Sequence, residues 1–186
     1  MVAAPTAASR AAAIVYAISL AALYGTSAAY HRLPWSHGGR RWMKRLDHSM
    51  IFLLIAGTYT PFALLVLRGP WRISILAVVW GLAAVGVILK MVHIDGLHAL
   101  GGVLYICLGW VAIVAAPQIL RGLSGLGIGL LLAGGVFYTT GAVVLNRHRP
   151  DPDPAVFGYH EVWHSFVVGA SMCHYVLILL LLLSLH

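Results

Sequence analysis

FGYHEVWHSFVVGASMCHYVL, residues 157–177, decides how this chain is read. His160 and His164 stand four positions apart, with Glu161 between them. Four positions are about one turn of an α-helix, so both imidazoles lie on one face. The residues that follow are almost continuously apolar, which puts the pair at the end of a membrane-length helix. Two histidines so placed are an obvious place to hold a metal. What completes it must come from elsewhere in the chain.

The rest of the sequence agrees with a membrane setting. Of 186 residues, 61% are hydrophobic and 9% charged, where a soluble domain carries roughly 25% charged residues. Mean hydropathy is +0.90. Apolar runs of about 20 residues recur along the chain. The fold class this predicts is all-α, a polytopic transmembrane helical bundle forming a single integral membrane domain over residues 1–186. No fixed-period repeat, heptad pattern, dinucleotide glycine fingerprint or phosphate loop is present. The formal charge of +7 would suggest nucleic acid in a soluble chain. Here the bases sit mostly in short loops, so topology accounts for them and no nucleic-acid partner is expected. Cys107 and Cys173 lie inside apolar runs and read as packing residues.

Six spans are predicted, at about 11–31, 46–67, 73–92, 97–116, 123–145 and from 157 to the end. A basic loop from Arg32 to Arg45, broken by Pro34 and Gly38-Gly39, separates the first two. Pro61 is expected to kink the second span and Pro117 to stop the fourth. Glycines 125, 127, 129, 134 and 135 suit close helix packing in the fifth. Arg32, Arg40, Arg41, Lys44, Arg45, Lys90, Arg147 and Arg149 fall on one side, against Arg10, Arg68, Arg72 and Arg121 on the other. The richer side is expected to be cytoplasmic, with both termini outside, most naturally in a bacterial plasma membrane. Residues 1–30 have some look of a signal peptide, with Arg10, an apolar run and then Thr26-Ser27-Ala28-Ala29. Cleavage there would leave the basic loop on the wrong side.

Topology gathers the candidate site. His160 and His164 open the last span from the cytoplasmic side, His31 closes the first on that side, and Asp47 opens the second there. Three imidazoles and a carboxylate then share one depth. Zinc with three protein ligands keeps a fourth position for water and lowers the pKa of that water to about 7. A nearby carboxylate can take and return the proton. Ser27, one turn deeper than His31 on the same face, can hydrogen-bond to the site. Blander readings stand beside these. A histidine at a helix end is often only interfacial, Asp47 can cap a helix N-terminus, and Ser27 can bond its own helix carbonyl. His174 is ten residues beyond His164, about 15 Å along a helix, and reads as a buried polar contact. His48 projects about 100° from Asp47 and is set aside. His37, His93, His98, His148 and His186 read as loop or interface residues.

His160-Glu161-Val162-Trp163-His164 also spells H-E-x-x-H, the metalloprotease motif in which the glutamate is the general base. Intramembrane proteases add an acidic ligand, and Ile94-Asp95-Gly96 faintly resembles such a motif. It precedes the histidines here, however, and follows them in those enzymes. A protease reading also leaves Ser27, His31 and Asp47 without a role.

At these residues the sequence resembles the hemolysin III branch of the progestin and adipoQ receptor family. Ser27-Ala28-Ala29-Tyr30-His31 fits its S-x-x-x-H, Arg45-Leu46-Asp47-His48-Ser49 fits the start of the next helix, and Ile55 to Phe62 resembles the stretch that follows. His160 to His164 fits its H-x-x-x-H, and Cys173-His174 resembles the end of that motif. The family has seven helices, and this chain is expected to hold six, without the equivalent of the first. Either the start is placed too far downstream or this member is short. The resemblance implies zinc held by His31, His160 and His164, with Asp47 near the zinc water and Ser27 in support. In the receptor members the position of Glu161 is not glutamate, which counts against it as a required base. The likeness to alkaline ceramidases in metal constellation suggests hydrolysis of a membrane-lipid amide or ester. Two alternatives stay open: a membrane-stress or lipid-sensing protein with structural zinc, and a pore-forming cytolysin, as the family name suggests.

Overall fold

The computed structural model describes residues 6–94 and 98–184, with the side chains of 98–100 outside that description. Asp95, Gly96 and His186, and the side chain of His98, therefore lie outside the described residues. The structure is all-helical: α1 Ala7–Arg32, α2 His37–Leu65, α3 Pro70–Val92, α4 His98–Trp110, a 3-10 segment Val111–Ala115, α5 Ala116–Gly122, α6 Gly125–Arg147 and α7 Tyr159–Leu183. Among the described residues there is no strand, only an isolated bridge between Asp153 and Phe157. Six helices are long and apolar enough to cross a membrane, the fourth running Gly101–Gly122 across α4, the 3-10 segment and α5. The chain is thus a polytopic helical membrane protein. It forms two compact units, residues 1–119 and 120–186.

In the first unit α2 is the central helix, packed by α1 and α3. Its residues 56–63 are all buried. Close approach to α1 depends on Gly57, where a Cβ would overlap the Ser19 hydroxyl. The polar side chains in this buried run are satisfied locally. Thr58 and Thr60 donate to the carbonyls of Leu54 and Ala56, at 2.8 and 2.9 Å, and Trp80 Nε1 of α3 donates to Thr60 Oγ1 at 3.2 Å. Tyr59 does something different. Its hydroxyl donates to Gly109 O at 2.7 Å and accepts from Ala112 N–H at 2.8 Å. Those groups belong to the break between α4 and the 3-10 segment. A broken helix in a membrane needs such a partner for the backbone groups it frees.

Two local expectations change. The second span does not begin near residue 46. Ser36 accepts from Gly39 N–H at 3.2 Å and caps a helix that starts at His37, so most of the expected basic loop is helical. Pro117 does not stop the fourth span. It sits in the first turn of α5, where a missing N–H costs nothing, and the span continues to Gly122. Helix α2 also runs on through Pro61 to Leu65.

The second unit is α6 packed on α7. Gly127, Gly134 and Gly141 are buried. A Cβ on them would meet Leu177 at 3.1 Å, overlap the His174 ring, and meet Phe166 at 3.0 Å, respectively. Of the glycines expected to pack, 127 and 134 do, whereas 125, 129 and 135 have nothing within 4 Å.

Candidate functional site

The candidate residues fall into two groups, one in each unit. In the first unit, α1 delivers Ser27 and His31 and α2 delivers Asp47. The turn between these helices is tied down. Trp35 Nε1 donates to Ala29 O at 3.0 Å, closing the end of α1, and Ser36 caps α2. The Arg40 guanidinium lies 5.5 Å over the Tyr30 ring, and that ring meets His31 edge-on at 4.7 Å. Asp47 is 4% exposed. The Ser27 hydroxyl and His31 lie within electrostatic reach of its carboxylate. Because α2 begins at His37, Asp47 lies well inside the helix and cannot be its N-cap. A carboxylate buried in apolar surroundings needs such partners to stay.

His48 is turned elsewhere. Its Nδ1 is 2.8 Å from Lys44 O, on its own helix, and 3.8 Å from Asp47 Oδ2. Tyr105 of α4 donates its hydroxyl to His48 O at 3.1 Å and lies within electrostatic reach of Asp47.

In the second unit the first turns of α7 carry His160 and His164, both half-buried. Their Nε2 atoms are 3.1 Å apart, with ring centroids at 4.6 Å. Two nitrogens at that separation either share a proton or face a common ion. Tetrahedral ligands at 2.0–2.1 Å from zinc have nitrogens about 3.3 Å apart, so the donor pair fits a metal. Trp163 packs on both imidazoles, at 5.2 and 4.5 Å between centroids. Its room comes from Gly141 of α6, where a Cβ would lie 3.3 Å from Trp163 Cδ1. Reading by residue type passed over this tryptophan. The signal was its position, one helical turn after His160 and beside His164.

Glu161 is engaged at the start of the helix. It is exposed, and its Oε2 accepts from Gly158 N–H at 3.0 Å in a capping box at the start of α7. Asp151, also passed over in the sequence, fixes the same turn by accepting from Tyr159 N–H at 2.8 Å. His174 is buried, with Nε2 3.5 Å from Leu131 O, its ring 5.6 Å from that of Tyr138, and Tyr138 bonded to Ser171 at 2.9 Å.

Comparison with known proteins gives the family. Residues 1–175 match the family model described as haemolysin-III related. The chain is 39% identical over 157 residues to hemolysin-3 of Bacillus cereus, covering 84% of this chain and 68% of that protein. It is 33% identical over 157 residues to the hemolysin-3 homolog of Bacillus subtilis (strain 168), with 84% and 70% covered. A human protein, monocyte to macrophage differentiation factor, is 25% identical over 167 residues, with 87% and 66% covered. No solved structure matches the chain.

Proposed function

The chain belongs to the haemolysin-III related family, and on that premise we propose that it is a zinc-dependent hydrolase of a membrane-lipid amide or ester. The observation that carries the reading is the convergence of His160 and His164 Nε2, 3.1 Å apart at the mouth of α7. In this reading His31, His160 and His164 hold the zinc. Zinc supplies a polarised carbonyl and an acidified water at neutral pH. The protein's own part is positional and protonic. Trp163 fixes both imidazoles, so their nitrogens stay aimed at one point. The Asp47 carboxylate takes the proton from the attacking water and returns it to the leaving amine or alcohol. In this reading Ser27, which lies near that carboxylate, supports it. The distribution of Lys and Arg supports, in this reading, a site at the cytoplasmic face of a bacterial plasma membrane with both termini outside.

Metal analysis and turnover test the reading together. Purified protein is expected to hold one zinc per chain, and the His31→Ala/His160→Ala/His164→Ala variant none. The wild type should release fatty acid from a short-chain ceramide, and Asp47→Ala should retain zinc while losing turnover. Zinc retained by the triple variant, or unchanged turnover in Asp47→Ala, overturns it. If zinc is bound and no lipid is hydrolysed, the site is structural. The name hemolysin-3 carried by relatives adds one arm: dose-dependent release of haemoglobin from red cells by the purified chain, absent from detergent controls, favours a cytolysin.

A further inference from the structure

Helix α2 is longer than a membrane needs, and the surplus is cationic. Its 29 residues extend about 43 Å at 1.5 Å per residue, against roughly 30 Å of hydrocarbon. The difference, about nine residues, matches the polar stretch 37–45 that opens the helix. This stretch holds Arg40, Arg41, Lys44 and Arg45, and Arg32 closes α1 beside it. Residues 31–46 contain no Asp or Glu. At this end of the first unit the sequence places six bases, these five and Lys90, against two acids, Asp47 and Asp95. Four positive charges are left over even with both acids fully paired.

The bases are held in a fixed arrangement. Ser36 caps α2 by accepting from Gly39 N–H, and Trp35 Nε1 ties the preceding turn to Ala29 O. The Arg40 guanidinium lies over the Tyr30 ring, and that of Arg45 lies 5.0 Å over the Trp42 ring. Such stacking orients a guanidinium without neutralising it. Arg32 and Arg40 are exposed and Arg45 is half-buried. Leu33, Trp35, Trp42 and Leu46 are exposed among them. Arg41 and Lys44 engage other groups as well; Arg32, Arg40 and Arg45 carry the surface without them.

Cations interleaved with exposed tryptophans and leucines, at the ends of two spanning helices, fit the headgroup layer of a bilayer. Arginine meets lipid phosphate there, and indole rings settle at the same level. A topological signal needs only a count of bases on one side; it needs neither a capped helix nor guanidinium groups stacked on rings. A soluble polyanion would leave the exposed leucines without an apolar partner. We propose that the α1–α2 turn and the first turns of α2 form a preformed docking surface for anionic phospholipid headgroups of the membrane that the chain spans. The surface gathers acidic lipid beside the end of α1 that carries His31, and it stands independently of the hydrolase reading.

The test uses full-length, metal-stripped protein in neutral detergent. Dihexanoyl phosphatidylglycerol, dihexanoyl phosphatidylcholine, inorganic phosphate and an oligothymidylate are titrated, with Kd as readout. Phosphatidylglycerol should bind at least about tenfold more tightly than phosphatidylcholine. Arg40→Gln/Arg45→Gln should weaken phosphatidylglycerol about tenfold or more, since each base near an anionic surface contributes separately. Arg68→Gln/Arg72→Gln makes the same charge change at the opposite end of α2 and should bind as wild type does. Equal affinity for the two lipids overturns the proposal. So does unchanged affinity in Arg40→Gln/Arg45→Gln, or an equal loss in Arg68→Gln/Arg72→Gln. Inorganic phosphate or oligothymidylate binding as tightly as phosphatidylglycerol overturns the lipid assignment. If the Arg40→Gln/Arg45→Gln protein is not recovered, wild-type binding decides by its salt dependence. The Kd for phosphatidylglycerol should rise about fivefold or more between about 50 and about 500 mM NaCl, and a salt-independent Kd overturns the proposal. Because every readout is metal-free binding, failure of the hydrolase reading would not alter them.

Discussion

Glu161→Gln separates two readings of the H-E-x-x-H stretch. If the glutamate is a general base, losing its charge should lower turnover by roughly 10²- to 10⁴-fold. The structure gives it another task. Its exposed carboxylate accepts one backbone N–H, from Gly158 at 3.0 Å, at the first turn of α7. A cap of that kind is worth about 1 kcal/mol or less, and glutamine retains part of it because its amide oxygen still accepts. For a chain of this size about 1 kcal/mol corresponds to a Tm change of roughly 2–4 °C. The expected result for Glu161→Gln is therefore a Tm lowered by at most a few degrees, zinc content unchanged, and short-chain ceramide turnover within about twofold of wild type. Zinc content and melting are read on the same purified sample, so an inactive preparation is not mistaken for a catalytic defect. A loss of a hundredfold or more with zinc and Tm intact would refute the assignment of Glu161 as a cap and restore it as a base.

Other perturbations act at named contacts. Gly141→Leu should push Trp163 and Phe166 away from α6, because even a Cβ there lies 3.3 and 3.0 Å from them; zinc affinity should fall while the spans remain inserted, as measured by metal competition and protease accessibility. Tyr59→Phe removes the hydroxyl shared by Gly109 O and Ala112 N–H, leaving two backbone groups unpaired at a helix break. It should cost about 1–3 kcal/mol in a detergent-unfolding titration, with little effect on zinc content. Ser27→Ala should reduce turnover and leave zinc bound, since the serine lies within electrostatic reach of Asp47 and is not proposed as a ligand; loss of zinc in that variant would contradict its supporting role.

Much of this architecture is legible in the sequence because lipid imposes one rule on every span. About 20 apolar residues make a crossing helix, and no competing strand solution arises from so apolar a pattern. What escapes such reading is local. The stretch from His37 to Arg45 is polar and carries two glycines, so hydropathy treats it as a loop. Ser36 nevertheless caps it, and it forms the first turns of α2. That shift matters for the site. It takes Asp47 from a helix start, where an acid needs no further explanation, to a buried interior position, where it does. Pro117 misleads in the opposite sense, because a proline in a first turn and a proline that ends a helix have the same letter and differ only in what precedes them.

The candidate site was partly legible for the same reason that it is hard to prove from spacing. His160 and His164 announce themselves by one helical turn, whereas Ser27 and Asp47 are 20 residues apart and meet only because α1 and α2 pack as antiparallel neighbours. Gly57 permits that packing, and its own row in the sequence gives no hint of a function. Trp163 shows the converse. An aromatic residue between two histidines reads as lipid-facing filler, yet the face left open by Gly141 turns it onto both rings. In the proposed site a few polar groups would carry the chemistry, and their aim is set by glycines and aromatics that carry none. Substitutions at Gly57 and Gly141 should accordingly disturb the site more than substitutions at the exposed glutamate that gives the stretch its familiar spelling.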